Sequence, residues 1–324
     1  MGYAIRVHET GGPETLRLEQ VETGRPGPGE VLLRHRAVGV NYIDTYHRTG
    51  LYKLPLPITP GVEGAGEVIE VGPGVTDVKP GDRVAYISQA PGAYCEERII
   101  AADRLVALPD EIGFEQAAGM MLRGLTVQFL LRSAFRVEPG MTILIHAAAG
   151  GVGLIACQWA KHLGATVIGT VGSPEKADLA RRHGCDHPIL YREEDFVARV
   201  KEITGGKGVP VVYDGVGRDT FEGSLDCLRP RGFMILFGAA SGPVPPFDLS
   251  RLAGKGSLYV TRPTVFTYMA DRSDLLAAAA ELFEVVRSGA VEIATSQRFP
   301  LKDAAEAHRA LESRKTTGST ILLT

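Results

Sequence analysis

The feature that most restricts the fold is the stretch MTILIHAAAGGVGLIACQWAKHLGATVIGTV, residues 141–171. Two β-branched apolar runs of strand length bracket a small-residue turn and a long apolar-striped segment, which closes on His162-Leu163-Gly164, a C-terminal glycine signal. The spacing predicts strand, tight turn, helix, strand, and parallel strands joined this way belong to a sheet covered on both faces. Within AAGGVG, Ala148, Gly150 and Gly153 hold the three special places of the G-x-G-x-x-G fingerprint, with alanine replacing the first glycine. The middle glycine lets the backbone approach a pyrophosphate, and the last lets helix and strand pack closely. The helix start adds unpaired N–H groups and the positive end of the helix dipole. The same residues also describe a tight turn chosen only for packing, so the surrounding pattern has to decide.

From about residue 124 to 262 the chain alternates strand and helix. Six apolar runs suit buried strands: 141–147, 166–171, 187–191, 210–214, 233–237 and 257–261. Segments 151–163, 174–183, 193–203 and 219–228 have the length of crossover helices, while the Gly/Pro-rich run between the fifth and sixth strands has room for a short helix. The expectation is an α/β Rossmann fold with a doubly wound, six-stranded parallel sheet, the context that the fingerprint demands. Residues 1–122 instead alternate short β-branched runs with Gly/Pro punctuation and read as all-β. After 262 a long helix, DRSDLLAAAAELFEVVRSG, is followed by IATSQRFP, a short helix around KDAAEAHRALES and a last strand STILLT.

A chain of 324 residues exceeds what one core usually serves, so two domains are expected. No stretch approaches the roughly 18 apolar residues of a membrane span, and the N-terminus does not read as a signal peptide, which points to the cytoplasm. Cys95, Cys157, Cys185 and Cys227 stand singly, forming neither a disulfide framework nor a zinc knuckle, and are expected as buried thiols. With a net charge of -3 and no dense Lys/Arg block, nothing marks a nucleic-acid or anionic-lipid partner. Small molecules are the expected partners.

The end of the second strand bears on the cofactor. A cofactor without a 2'-phosphate is usually held there by an acidic residue about 20 positions past the glycines. Gly172 and Ser173 stand in that place, Ser173 as an N-cap, Pro174 as the first helical residue and Glu175 as a first-turn acid. Lys176 then lies in the first turn, where a cation meets the helix dipole unfavourably unless an anion compensates it. A dianionic 2'-phosphate would do so, with Ser173 adding a donor, which favours NADPH. The alternatives are a Lys176 that points into water and a Glu175 that binds a ribose.

VGVNYIDTYHRTGLY (38–52), PGVEGAGEVIEVGPGVTDVKPGDRVAY (60–86), HAAAGGVGLIACQWAKHLGA and GSLYVTRP (256–263) together resemble the zinc-independent, zeta-crystallin-like quinone oxidoreductases of the medium-chain dehydrogenase/reductase superfamily. The resemblance runs over essentially the whole chain. It implies a GroES-like, mostly β catalytic domain at 1–122, a nucleotide-binding domain at 123–262, and a segment 263–324 that returns to the catalytic domain. Zinc-dependent members carry a cysteine in the segment matching GVN, a histidine in a G-H-E triplet and a second cysteine before the nucleotide domain. This sequence has Asn41, Val62 and no cysteine between Cys95 and Cys157, and it has no cysteine-rich lobe, so no metal is expected. Its eight histidines show no ligand spacing and read as surface, cap or packing residues.

Without a Lewis acid, reversible alcohol oxidation is disfavoured, whereas conjugated acceptors such as quinones and α,β-unsaturated carbonyls take a hydride unaided. The resemblance therefore implies an NADPH-dependent quinone reductase. The alternatives are an enoyl or alkenal reductase and, from another class, a crystallin-like structural or RNA-binding protein. It implies that Asn41 and Tyr46 lie beside the nicotinamide, with Tyr46 as a donor to a substrate oxygen or, alternatively, a packed tyrosine. It places Thr126 on the nicotinamide or its ribose, Gly150, Gly151 and Val152 on the pyrophosphate, and Gly172, Ser173, Lys176, Tyr191 and Arg314 around the adenosine phosphate. Phe237, Gly238 and Ser241, with Val260 and Arg262, match the nicotinamide-side contacts. In related reductases the last sheet strand pairs with a second subunit, which implies a homodimer.

Overall fold

A computed structural model describes residues 1–313 and 316–324. The chain forms two compact units, one of Met1–Leu125, Met269–Arg287 and Ile293–Thr324, the other of Thr126–Tyr268 and Ser288–Glu292.

The first unit begins with β1 (Gly2–Arg6) and β2 (Arg17–Val21), an antiparallel pair. The long β3 (Glu30–Val40) then leads into helix α1 (Tyr42–Thr49), followed by β4 (Glu63–Val71), β5 (Arg83–Ile87), β6 (Glu97–Ala101) and β7 (Leu105–Ala107). Helix α2 (Phe114–Phe129) closes this stretch. From the far end of the chain come α9 (Arg272–Arg287), β14 (Thr295–Pro300), α10 (Ala304–Glu312) and β15 (Ser319–Leu323), the intervening elements belonging to the second unit. β15 lies antiparallel on β3, Thr320 opposite Val40, so that the sheet runs β14-β15-β3-β4-β5-β7 with β6 on the other part of β3. Val31, Leu33, Val38, Val40, Tyr86, Tyr94 and Leu322 form its core. The sequence reads this unit's N-terminal half as all-β, and α1 and α2 correct that reading. α1 is set by local signals: the Asp44 side chain accepts from the N–H of Asn41, the residue before the helix, and Gly50 ends the helix at φ 78°.

The second unit is the doubly wound sheet. Its strands are β8 (Thr142–Ile145), β9 (Thr166–Val171), β10 (His187–Leu190), β11 (Val209–Asp214), β12 (Leu228–Leu236) and β13 (Tyr259–Thr261). All pair in parallel, in the order β10-β9-β8-β11-β12-β13. The crossovers are α3 (Gly151–His162), α4 (Pro174–Arg182), α5 (Phe196–Ile203) and α6 (Phe221–Asp226), with α7 (Ser250–Gly254) in the Gly/Pro-rich run and α8 (Val265–Tyr268) after the last strand. Leu144, Ile168, Ile189, Val212 and Met234 from five neighbouring strands share one buried cluster with Val200 of α5 and Phe221 of α6. Continuous apolar strands are thus explained by burial on both faces. All four cysteines are free and buried.

Candidate active site: a phosphate turn and a buried carboxylate–amide pair

Because the six strands are parallel, their carboxyl ends lie along one edge of the second unit's sheet. Strand order reverses between β8 and β11, the place where such sheets bind ligands. At the end of β8 the chain passes through Ala147 at φ 53°, a left-handed conformation that costs a non-glycine residue about 1–2 kcal/mol. A buried polar cluster holds that turn in place. Thr170 Oγ1 accepts from Ala147 N–H at 3.3 Å and pairs with His146 Nδ1 at 2.9 Å, while His146 Nε2 pairs with Ser224 Oγ at 2.9 Å. Ser224 donates to Asp214 Oδ2 at 3.0 Å. Here serine stands between histidine and aspartate, and burial holds His146 below the usual imidazole range against the pull of Asp214. The cluster is a brace under the turn, and it gives His146 the packing role expected of it.

Gly150 is the N-cap of α3, extended at φ −81°, and no side chain caps the helix. With no acidic residue in the first turn, the N–H groups of Gly151, Val152 and Gly153 meet no side-chain acceptor among the described residues. A Cβ on Gly153 would stand 2.7 Å from Ala148 C and O and closer still to Ala147 O, so this glycine is where helix and turn touch. A Cβ on Gly150 would meet only Ala147 O, at 3.2 Å. The donor set fits a phosphate oxygen.

One strand over, Ser173 caps α4, accepting from Lys176 N–H at 3.4 Å, with Pro174 at its first position. The Ser173 hydroxyl also holds Glu175 below the usual carboxylate range, which engages Glu175 within its own turn. Lys176 is half-buried, and burial first, then the positive charge of Arg192, lowers its pKa. Tyr191 is exposed, its hydroxyl 3.1 Å from where a Cβ on Gly172 would stand. Two cations beside a capped helix start fit a dianion better than a ribose diol. The sequence reading missed Arg192, although it adjoins Tyr191.

On the other side of β8, the segment after β12 packs tightly on the turn after β11. A Cβ on Gly238 would collide with Gly215 backbone, and Ser241 Oγ accepts from Asp219 N–H at 3.0 Å and donates to Val216 O at 2.8 Å. The Ser241 side chain is thus committed to the loop. Phe237 is half-buried, Val260 is exposed on β13, and Arg262 donates to Leu236 O at 3.2 Å. Thr126 is half-buried in α2, and Arg314 lies outside the described residues.

Asn41 and Tyr46 belong to the first unit. Tyr46 is half-buried on α1, its ring edge-on to Tyr52 with centroids 5.2 Å apart. Asn41 is 6% exposed, and its Nδ2 donates to Glu63 Oε1 at 2.7 Å. Glu63 Oε2 accepts from the mid-helix Leu122 N–H at 2.7 Å, and Arg123 stands 3.7 Å from Oε1. Burial pushes Glu63 above the usual carboxylate range, opposed by Arg123, Leu122 N–H and Asn41. On its other side, Asn41 N–H donates to Asp44 Oδ2 at 2.8 Å, as does the Tyr94 hydroxyl at 3.0 Å. Burial raises Asp44 to about 7. Tyr94 in turn meets His308 Nε2 at 3.0 Å, and Arg48 meets His308 Nδ1 at 3.0 Å. Since arginine only donates, His308 carries its proton on Nε2, giving one directed chain from Arg48 to Asp44. Sequence reasoning found Asn41 but none of its partners.

Residues 151–283 match the family model of zinc-binding dehydrogenases, and residues 27–131 match the GroES-like domain of alcohol dehydrogenases. Over 324 residues, all of both chains, the protein is 55% identical to a quinone oxidoreductase of Pseudomonas aeruginosa. The chain belongs to the quinone oxidoreductase family. Another member, the Escherichia coli quinone oxidoreductase complexed with NADPH, superposes with a TM-score of 0.98 at 51% identity, covering 99% of this chain and all of that one. A 2-haloacrylate reductase of Burkholderia sp is 47% identical over 331 residues, with 100% of this chain and 99% of its own covered. The zinc in the domain model's description does not fit these residues. The resemblance puts Asn41 and Val62 at two of the ligand positions, and among the described residues no group of three or more His, Cys, Asp or Glu is placed to hold a metal.

Proposed function

We propose that the protein is an NADPH-dependent quinone reductase that works without a metal ion. The observation that carries this reading is the identity of 55% with a quinone oxidoreductase over the whole chain, in a molecule whose sheet edge offers an uncapped helix start at its centre. NADPH, when bound, supplies the hydride, and a quinone accepts it because the developing charge is delocalised onto oxygen. Gly150, Gly151 and Val152 hold the pyrophosphate with backbone donors. Ser173, Lys176 and Arg192 hold the 2'-phosphate, beside Gly172 and Tyr191. Asn41, Tyr46, Thr126, Phe237, Gly238, Val260 and Arg262 serve the nicotinamide end, where the Tyr46 hydroxyl donates to the acceptor's oxygen. Ser241 acts there by fixing the loop.

The test follows NADPH oxidation at 340 nm with 1,4-benzoquinone, 9,10-phenanthrenequinone and a short enal, each repeated with NADH. Quinone turnover preferring NADPH is expected. Turnover of the enal with silence on both quinones would move the protein to the conjugated-carbonyl reductases, the reading favoured by its likeness to the 2-haloacrylate reductase.

We place the protein in the cytoplasm as a homodimer. Four free cysteines support the first, and among the described residues no helix is long and apolar enough to cross a membrane. The edge strand β13 supports the second: all its residues are exposed, Tyr259 at 54% and Val260 at 36%. Elution at monomer mass in light scattering would overturn the dimer.

A further inference from the structure

We infer that Glu63 is a positioning residue for the reaction, acting by holding the Asn41 side-chain amide in one orientation. The inference rests on the proposal that Asn41 serves the nicotinamide end. An asparagine amide has a donor end and an acceptor end of nearly the same shape, and a neighbouring group decides which faces the ligand. Here Nδ2 is bound to Glu63 Oε1 at 2.7 Å, so Oδ1, the acceptor, is the end turned away from Glu63. Glu63 is fully buried and fixed from three directions: Asn41, the Leu122 N–H at 2.7 Å, and Arg123 at 3.7 Å.

A second observation shows that the neighbouring strand makes room for this carboxylate. Gly39 lies one residue before the end of β3, within a strand that glycine weakens, and a Cβ there would stand 2.5 Å from both Glu63 Cδ and Ala118 O. The opening is filled by the Glu63 carboxylate. Arg123 also donates to Val40 O at 2.5 Å, so the same guanidinium ties the residue before Asn41.

The arrangement makes a donor-count prediction. Glu63 accepts through both oxygens, and a glutamine has only one. Glu63→Gln therefore sets an N–H donor against either Asn41 Nδ2 or Leu122 N–H, and the amide of Asn41 loses its fixed orientation. Asn41→Asp alone sets two carboxylates against each other. In the double variant Asn41→Asp/Glu63→Gln, the introduced glutamine accepts from Leu122 N–H and donates to the introduced aspartate. That aspartate still presents an acceptor oxygen on its free side, and Arg123 keeps a counterion.

The experiment compares the wild type, the two single variants and the double variant by kcat and KM with NADPH and 1,4-benzoquinone, by NADPH dissociation constant in calorimetry, and by Tm. Each single variant is expected to lose at least tenfold in kcat, with the NADPH dissociation constant changed less than about threefold because the phosphate contacts are untouched. The double variant is expected to recover to within about threefold of wild type. A Glu63→Gln enzyme with lowered Tm but wild-type kcat would make Glu63 merely structural and overturn the inference, as would a double variant no faster than Asn41→Asp. If Glu63→Gln does not fold, the comparison of Asn41→Asp with the double variant decides alone. A wild type that binds NADPH but reduces no quinone refutes the proposed function before any variant is made.

Discussion

Gly150 and Gly153 lie three residues apart in one turn, and their surroundings assign them different jobs that alanine substitution should separate. At Gly153 an added Cβ would be 2.7 Å from Ala148 C and O and nearer to Ala147 O, all backbone atoms that cannot swing aside. Ordinary contact begins about 0.7 Å beyond the two Ala148 atoms and further still beyond Ala147 O, so helix and turn must part by more than that; overpacking of this kind costs about 1–3 kcal/mol. At about 2–4 °C per kcal/mol for a domain of this size, Gly153→Ala should lower Tm by several degrees. The displaced turn should also bind NADPH at least tenfold more weakly. At Gly150 the backbone is extended, a conformation open to any residue, and the one near atom is Ala147 O at 3.2 Å. Loss of a glycine N-cap costs at most about 1 kcal/mol, so Gly150→Ala should lower Tm by no more than about 2–4 °C. Its methyl, however, stands where a phosphate would meet the backbone, and NADPH affinity should fall by at least tenfold. Differential scanning calorimetry and fluorescence titration with NADPH read the two quantities separately. A Gly150→Ala protein that binds NADPH as the wild type does would refute the placement of the pyrophosphate, and an unchanged Tm in Gly153→Ala would refute the packing argument.

Lys176→Met should reduce the preference for NADPH over NADH by about 10- to 100-fold, the worth of a hydrogen bond to a charged group at about 1.5–3 kcal/mol, with NADH kinetics unchanged; equal losses with both cofactors would place the 2'-phosphate elsewhere. Exhaustive dialysis against EDTA should leave quinone turnover as it was, and inhibition restored by zinc would show that the donor set was misjudged. Burial raises Asp44 to about 7 in the folded chain, so the fold keeps a proton that the unfolded chain gives up at lower pH. Between pH 4 and 7 this stabilising contribution is lost as pH rises, by at most about 1.4 kcal/mol per unit, and it is flat above. Urea unfolding of wild type and Asp44→Asn at pH 5, 6, 7 and 8 should show the difference between them falling up to pH 7, and parallel curves would contradict it.

The sheet of the second unit was legible because its strands are buried on both faces and punctuated by glycine: each of the six apolar runs holds a strand, and the glycine turn falls between β8 and α3. Local chemistry was legible too, as at Ser173, whose cap and following Pro174 stand as the sequence suggests. α1 was hidden because it is short and enclosed by β-rich segments, although Asn41, Asp44 and Gly50 carried its capping signals. The strained Ala147 was not legible either, since the fingerprint draws the eye to Ala148 and the glycines, while the left-handed residue is fixed by Thr170 from the neighbouring strand. Residues that act through distant partners left almost no trace. Glu63 meets Asn41, and Leu122 and Arg123 meet Glu63, only because β4 and α2 converge on the end of β3, and no spacing in the chain announces that. The one clue was Gly39, a glycine inside an apolar strand, which marks a close approach without naming what approaches.

The residues that pair here are also those that separate this chain from its metal-dependent relatives. The resemblance places zinc ligands in the segment of Asn41 and beside Glu63, and in this molecule the two segments are joined by a hydrogen bond of 2.7 Å. A bound cation would fix its ligands and neutralise the Glu63 carboxylate. The carboxylate instead finds its donors in the chain: the Asn41 amide, and a backbone N–H and a guanidinium from the adjacent α2 residues Leu122 and Arg123. Removing one member of a buried charged set leaves the others uncompensated at about 3–5 kcal/mol, so the set persists as a unit. A site that cannot polarise an oxygen with a metal is restricted to acceptors activated by their own conjugation. Under the proposed function, what remains for the protein is orientation, which a rigid Asn41 would supply and a freely turning one would not.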